Sequence, residues 1–416
     1  MNDPYEVIPK DLADPVVRPP GSKSITNRAM IAAALAPGCS TLSSPLRSTD
    51  TEAMIGCLDA MGVRITTSEH TFEIHSTGYL AGGGALDARD SGTTARFITA
   101  AATLADGRAV VDGTERMRHR PIGGLVDALT VLGANLEASG GYPPVRIAGG
   151  GLHGGTVGVD TSQSSQFASA VMLCAPCAAQ PVVLELGSAV VSRPYLDTTI
   201  EVMQAFGAHV GWESSETIRV ESTGYRPTEF LVEADASAAV YPWAAAAVTG
   251  STVTVTGIDP WSRQADVGVL GVFELMGCIV QRSVSGISVT GPRGLAGASV
   301  DMNRCPDAVL AVAVVAAFAA SPTEIHNVGT LRIKESDRLH ALETELTKLG
   351  AIVTTGPDWI HIHPGPTRPA LIATYDDHRM AMSFAIAGLR QRGVAIEDPG
   401  CVTKTWPEFF DMLESL

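Results

Sequence analysis

A glycine turn recurs along this chain at nearly constant spacing, and that period restricts the fold more than any other feature. The turn glycines are Gly62 (in AMGVRI), Gly133 (VLGANL), Gly207 (AFGAHV), Gly277 (LMGCIV) and Gly350 (KLGAIV), separated by 71, 74, 70 and 73 residues. A period of this kind means one supersecondary unit copied several times. Each glycine follows a helical pattern of about three turns, where a left-handed C-terminal residue is expected. Short β-rich segments follow each one, at 71–76, 145–148, 217–221, 286–290 and 359–363. A sixth copy is split between the ends. The C-terminus supplies a helix, 407–416, and the N-terminus supplies the strand before Gly21 and the helix after it. The chain is therefore expected to close on itself as six βαβαββ units in two groups of three. The extended segments 16–20 and 230–235 would be the crossovers. One domain would span residues 20–232, and the second residues 1–19 plus 233–416.

Within this repeat the stretch Pro20-Gly21-Ser22-Lys23-Ser24-Ile25-Thr26-Asn27-Arg28 reads as a strand-to-helix junction. Gly21 allows the turn, and Ser22 or Ser24 can cap the helix. The free N–H groups and positive end of a helix favour an anion, and Lys23, Ser24 and Arg28 add cations and a hydroxyl. It is not a Walker A loop, because the spacing of glycine to Gly-Lys is wrong. The same phase of later copies carries Asp90-Ser91-Gly92-Thr93-Thr94, Ser164-Ser165-Gln166, Asp235, Asp307 and Asp377-His378-Arg379. The other helix start of each unit carries Asp50, Arg116 to Arg120, Ser192-Arg193-Pro194-Tyr195, Arg263, Lys334-Glu335 with Arg338, and Lys404. Capping explains the Ser, Thr and Asp. It does not explain Lys and Arg, which oppose the helix dipole unless an anion holds them.

The formal charge of −15 argues against general nucleic-acid affinity, so an anion site must be local. The N-terminus MNDPYEVIPKDL lacks the apolar core of a signal peptide. The longest apolar run, 308–320, is too short to span a bilayer and suits a buried helix. Seven cysteines read as free cytoplasmic thiols, and the apolar setting of Cys174 and Cys177 argues against a redox or zinc pair. Neither nucleic acid nor membrane is expected as a partner. His361 and His363 alternate along one strand and read as strand residues rather than metal ligands. Gly82–Gly84 and Gly149–Gly151 read as loop turns.

Nine motifs in order carry a resemblance: PGSKSITNRA, DSGTTARF, ERMRHRPIGGLVDAL, SSQF, VSRPYLD, PDA, LRIKESDRL, YDDHRMAM and KTWPEFF. With them the chain resembles the 5-enolpyruvylshikimate-3-phosphate synthase family over essentially its whole length. The resemblance implies a two-domain inverse α/β barrel of three repeats per domain, with helix N-termini facing an interdomain cleft that closes on substrate. It implies transfer of the enolpyruvyl group of phosphoenolpyruvate to the 5-hydroxyl of shikimate 3-phosphate, through a tetrahedral intermediate, with no metal and no cofactor.

Carried over by position, Lys23, Gly92, Arg120, Gln166, Arg338, Arg379 and Lys404 would meet phosphoenolpyruvate. Lys23, Ser24, Arg28, Ser164, Ser165, Gln166, Ser192, Tyr195, Asp307 and Lys334 would meet shikimate 3-phosphate. Asp307 would be the base for the 5-hydroxyl and Glu335 the proton donor to C3, with Lys23 beside them. His378 is a further binding candidate. Alone, Asp307 reads as an N-cap, and Glu335 with Arg338 as a solvated helix ion pair. Two positions depart from the family pattern. Thr330 stands where many relatives have Asn. Asp90 replaces the usual Asn and could serve as an N-cap. With Gly92 intact, glyphosate sensitivity is expected, and a monomer is the default. The rivals are the UDP-N-acetylglucosamine enolpyruvyl transferase, whose loop cysteine is missing here, a non-catalytic anion-binding repeat protein, and an RNA-phosphate enzyme. The low aromatic content, 5%, disfavours the last.

Overall fold

The computed structural model describes residues 4–187 and 192–416. Val191, the first residue of the VSRPYLD motif, lies outside them. The chain divides into two compact units, Gly21–Glu233 and the residues up to Pro20 together with Ala234–Leu416.

Three helices form the inside of the Gly21–Glu233 unit: α1 (Lys23–Leu35), α2 (Gly92–Thr103) and α3 (Ser165–Cys174). They pack on one another. Every residue of α2 is buried, and so is α1 from Ile25 to Leu35. A helix that is apolar on all sides belongs in a core, and the alanines of α1 and α2 let the backbones approach. Three four-stranded sheets surround the helices. In the middle sheet Gly84–Asp87 runs parallel to Arg108–Asp112, with α2 as the crossover. The hairpin Asn135–Ser139/Tyr142–Ala148 then adds antiparallel. Pro143, Val145 and Ile147 face inward and their neighbours outward, the period of two that a one-sided sheet requires.

The second unit repeats the plan with α4 (Ala236–Thr249), α5 (Val309–Ala316) and α6 (His378–Gly388) inside. The expected buried helix over 308–320 stops at Ala316. The split copy is completed by the N-terminal strand Tyr5–Glu6, which pairs antiparallel with Val394–Ile396. Tyr5 then fastens the ends: its hydroxyl donates to Glu414 Oε1 at 2.6 Å, and its ring lies 4.4 Å from that of Phe410. Val16–Val17 pairs in parallel with Thr252–Val255 in this unit, and Glu229–Leu231 with Gly38–Ser43 in the other.

All five turn glycines are left-handed, with φ of 87°, 96°, 84°, 96° and 116° in chain order. A side chain there would be strained. The helix before Gly277 differs from expectation. It is only Val269–Leu275, because the preceding turn Ala265–Gly268 winds as a tighter 3₁₀ helix.

Candidate active site

In the Gly21–Glu233 unit the first turn of α1 carries Lys23, Ser24 and Arg28. Ser22 occupies the cap position, but its hydroxyl makes no capping bond, contrary to the sequence reading. Lys23 Nζ lies 3.0 Å from Asp50 Oδ2. Arg28 is 1% exposed and, among the described residues, reaches no carboxylate. Its guanidinium donates to Thr199 Oγ1 (2.7 Å), Ser24 O (2.9 Å), Ser24 Oγ (2.6 Å), Ser169 Oγ (3.1 Å) and Tyr195 O (3.4 Å). Burial pulls its pKa down to about 10, partly opposed by Tyr195. A desolvated cation held only by neutral groups is costly, and an anion beside Ser24 and Tyr195 would relieve that cost.

Ser164 caps α3 by accepting from Gln166 N at 3.2 Å, with Ser165 buried behind it. Ser192 is buried and left-handed, φ 56°. Such a non-glycine conformation persists only where surroundings enforce it. Gly92 opens α2. A Cβ placed there would come within 2.7–2.9 Å of the Arg120 guanidinium. Arg96 braces the same corner, donating to Pro121 O at 2.5 Å. Asp90 is not the cap it could have been. Ser91 caps α2 by accepting from Thr94 N, while Asp90 accepts from Thr114 Oγ1.

The other unit gathers its charged residues around one arginine. Arg338 opens the helix Arg338–Leu349 and is 1% exposed. It donates to Asp377 Oδ2 (2.8 Å) and Oδ1 (3.2 Å), to Glu335 Oε2 (2.9 Å) and to Asp307 Oδ1 (3.0 Å). Burial acts against its charge, and the three carboxylates outweigh burial and hold it protonated. Asp307 also meets Arg379 Nη2 at 3.1 Å and Lys334 Nζ at 3.6 Å. Burial raises its pKa, but Arg379, Lys334 and Arg338 together hold it well below the usual carboxylate range. Asp307 is thus an ion-pair centre rather than a cap: it sits in the 3₁₀ turn Pro306–Ala308, and α5 starts after Ala308 without a side-chain cap. Glu335 with Arg338 is likewise no solvated pair. Lys404 is 8% exposed at the end of the turn Pro399–Lys404, which packs on α6.

Three acids escaped the sequence reading as site residues. Asp377 is fully buried, accepts from Ser336 Oγ and Arg379 N as well as from Arg338, and is reached through two left-handed residues, Tyr375 and Asp376. His378 lies behind it, Nδ1 3.7 Å from Asp377 Oδ1. Asp50 faces Lys23. Asp266, 1% exposed, accepts from Ser237 Oγ and leaves Oδ1 without a hydrogen bond among the described residues. The only signal for it was its position at the same helix-start phase as Asp50.

Burial, followed by the charge of Asp307, pushes Asp266 up to about 6, against Arg379 and the Ser237 bond. An unfolded Asp loses its proton near pH 3.9, so between about pH 4 and 6 the folded state holds one proton more. Stability from this group is complete below that window and is lost as pH rises through it, by up to about 3 kcal/mol. Asp266→Asn should therefore be more stable than wild type at pH 7.5 and near-neutral at pH 4. Urea unfolding at the two pH values checks this, and an equal effect at both would count against it.

The donors and acids match the demands of a multiply anionic substrate whose reaction moves protons. The EPSP synthase (3-phosphoshikimate 1-carboxyvinyltransferase) family model matches residues 8–413. A 3-phosphoshikimate 1-carboxyvinyltransferase of Nostoc punctiforme is 42% identical over 415 residues, covering 96% of this chain and 97% of that protein. One from Aliivibrio fischeri is 41% identical over 410 residues, 95% of each. The EPSP synthase structure from Acinetobacter baumannii superposes with a TM-score of 0.82 at 26% identity, covering 99% of this chain and 98% of that one. With the inside-out helix-and-sheet units already described, these likenesses establish that the chain belongs to the EPSP synthase family.

Proposed function

We propose that this chain transfers the enolpyruvyl group of phosphoenolpyruvate to the 5-hydroxyl of shikimate 3-phosphate and releases phosphate, a step of the shikimate pathway. The observation that carries the reading is the pair of acids, Asp307 and Glu335, held on the buried guanidinium of Arg338 among Lys334 and Arg379. A protein that only bound anions would need the cations but not two acids placed among them.

Ser24, Arg28, Ser164, Ser165, Ser192, Tyr195 and Lys334 hold shikimate 3-phosphate, and Gln166 touches both substrates. Lys23, Gly92, Arg120, Arg379 and Lys404 hold phosphoenolpyruvate. Arg338 already spends four of its five N–H groups on carboxylates, so it meets this substrate through the second N–H of Nη1 unless one of those bonds opens. Asp307 takes the 5-hydroxyl proton as the oxygen attacks C2, while Glu335 protonates C3. The tetrahedral intermediate then returns a proton from C3 and expels phosphate, which restores the double bond. In the empty protein Asp307 is a weak base, because three cations stabilise its charge. Anionic substrates draw off Arg379 and Lys334, and its proton affinity rises towards the range a general base requires. We read the protein as a cytoplasmic monomer inhibited by glyphosate.

Phosphate release tests the reaction. It should require both phosphoenolpyruvate and shikimate 3-phosphate, and collapse in Glu335→Gln. Release with UDP-N-acetylglucosamine instead would move the chain to the rival transferase, and binding of shikimate 3-phosphate without release would mean an anion-binding protein.

Gly92→Ala should displace the Arg120 guanidinium. Losing a charge-assisted contact of about 1.5–3 kcal/mol raises KM for phosphoenolpyruvate roughly 10- to 100-fold. The affinity for shikimate 3-phosphate should hold. Equal loss for both substrates would place the damage elsewhere.

A further inference from the structure

Outside the residues assigned to substrate, one side-chain cluster among the described residues has the composition and reach of a metal site. It lies on the sheet Ser299–Asp301, Thr323–His326, Ile360–His363 and Ile352–Thr355. Along two of these strands the core side is taken by Thr323, Ile325, Ile360 and Ile362, all buried. Strand alternation therefore turns Glu324, His326 and His361 to the other face. Glu324 and His361 are direct cross-strand partners, and His326 follows Glu324 by two residues. Cross-strand partners bring their Cβ atoms within about 5 Å, and the diagonal neighbour stays within reach of a long side chain.

One ligand atom from each of the three residues lies within 4.8 Å of the other two, and Glu324 Oε2 is 3.6 Å from His326 Nε2. Zinc takes imidazole nitrogen and carboxylate oxygen at about 2.0–2.2 Å in a tetrahedron, so its ligand atoms sit about 3.4 Å apart. The Glu324–His326 edge is already near that value. The remaining closure falls to side chains that are free to turn, His326 and Glu324 being 39% and 48% exposed. The scaffold beneath them is a paired sheet. Ser299 Oγ, on the strand beside Glu324, is 3.3 Å from His326 Nε2 and 3.4 Å from Glu324 Oε2. A metal on His326 Nε2 replaces the Ser299 contact there and leaves the hydroxyl to orient Glu324 or a coordinated water. The Trp359 ring lies 4.3 Å from that of His361, which places a fluorophore beside the cluster.

We propose that Glu324, His326 and His361 bind one zinc-class divalent ion with water in the fourth position. Two imidazoles and one carboxylate favour such borderline ions over magnesium or calcium. The bound ion would tie Thr323–His326 to Ile360–His363, just before the turn Gly329–Ile333 that leads to Lys334. Cys39 Sγ and His75 Nε2, 3.8 Å apart, offer a competing pair in the other unit, but only two ligands.

The test is calorimetric titration of chelator-stripped, full-length protein with zinc chloride at pH 7.5, repeated for His326→Ala, His361→Ala and Cys39→Ser. One equivalent is expected for wild type and Cys39→Ser. Affinity should fall at least about tenfold in each histidine variant. Cobalt(II) in the same site should give tetrahedral visible bands and quench Trp359, and Trp359→Phe should remove most of that quenching. The unliganded variants should melt as wild type does and release phosphate at the wild-type rate, since none of these residues is assigned to substrate. Failure to saturate at one equivalent, or equal affinity in wild type and both histidine variants, would overturn the proposal.

Discussion

Asp307→Asn should lower kcat for phosphate release by about 10²- to 10⁴-fold, the usual contribution of a positioned base. It should at the same time tighten binding of shikimate 3-phosphate. Both effects come from one geometry. Asp307 is the anion that Arg379 and Lys334 hold in the empty protein, at 3.1 and 3.6 Å. Incoming shikimate 3-phosphate competes with it for Lys334, and phosphoenolpyruvate for Arg379. Asparagine keeps the shape, removes the competing charge and leaves the cations to the ligand. The base is gone, so the 5-hydroxyl proton has no acceptor. A mutation that removes only ground-state binding would instead raise KM and spare kcat. Stopped phosphate-release assays give kcat, and calorimetry of shikimate 3-phosphate alone gives the affinity. A kcat within tenfold of wild type would remove Asp307 from the chemistry, and weaker binding would show that its charge is not competing.

The architecture was legible because its signals are local. Turn glycines, β-rich segments and apolar helices each announce themselves within a few residues, and the constant period joined them. The cations were legible for a related reason. Lys and Arg at helix N-termini contradict the dipole, so Lys23, Arg120 and Arg379 stood out against ordinary capping. Acids at the same places do not stand out, because capping and catalysis ask for the same residue type. Asp377 shows the difficulty. It does cap α6, accepting from Arg379 N, and it also holds Arg338 through both oxygens. Both readings are correct, and the sequence shows only the first.

Burial was the other hidden quantity. Arg28 reads as one more cation on a helix start, yet it is enclosed by Ser169, Tyr195 and Thr199, which lie 141 to 171 residues away. No local pattern predicts that enclosure. The Glu324–His326–His361 cluster was hidden likewise. It depends on a cross-strand register, and His361 by itself looked like any strand residue. Signals between neighbouring residues thus located the helix starts, while the pairing of charges across repeats came only with the packing.

Arg338→Ala should cost about 3–5 kcal/mol of stability, the loss expected when one partner of a buried ion pair is removed. The melting temperature should fall on the order of 10 °C for a unit of this size. The magnitude follows from what remains. Asp377 is fully buried and would lose its only charged donor at hydrogen-bond distance among the described residues. Glu335 loses its 2.9 Å partner, and Asp307 keeps Arg379 and Lys334. Lysine should not restore the variant, because one ammonium cannot serve three carboxylates that a planar guanidinium meets along its edges. The deficit should also depend on pH with a definite sign. Buried carboxylates without a cation have raised pKa values. Their folded forms keep protons that the unfolded chain has released, so stability falls as pH rises. The gap between Arg338→Ala and wild type should accordingly be widest near pH 7.5 and narrow towards pH 4.5. Urea unfolding across that range measures it. A constant gap would assign the loss to packing around the arginine stem, and wild-type stability throughout would mean that Arg338 does not hold the acids in place.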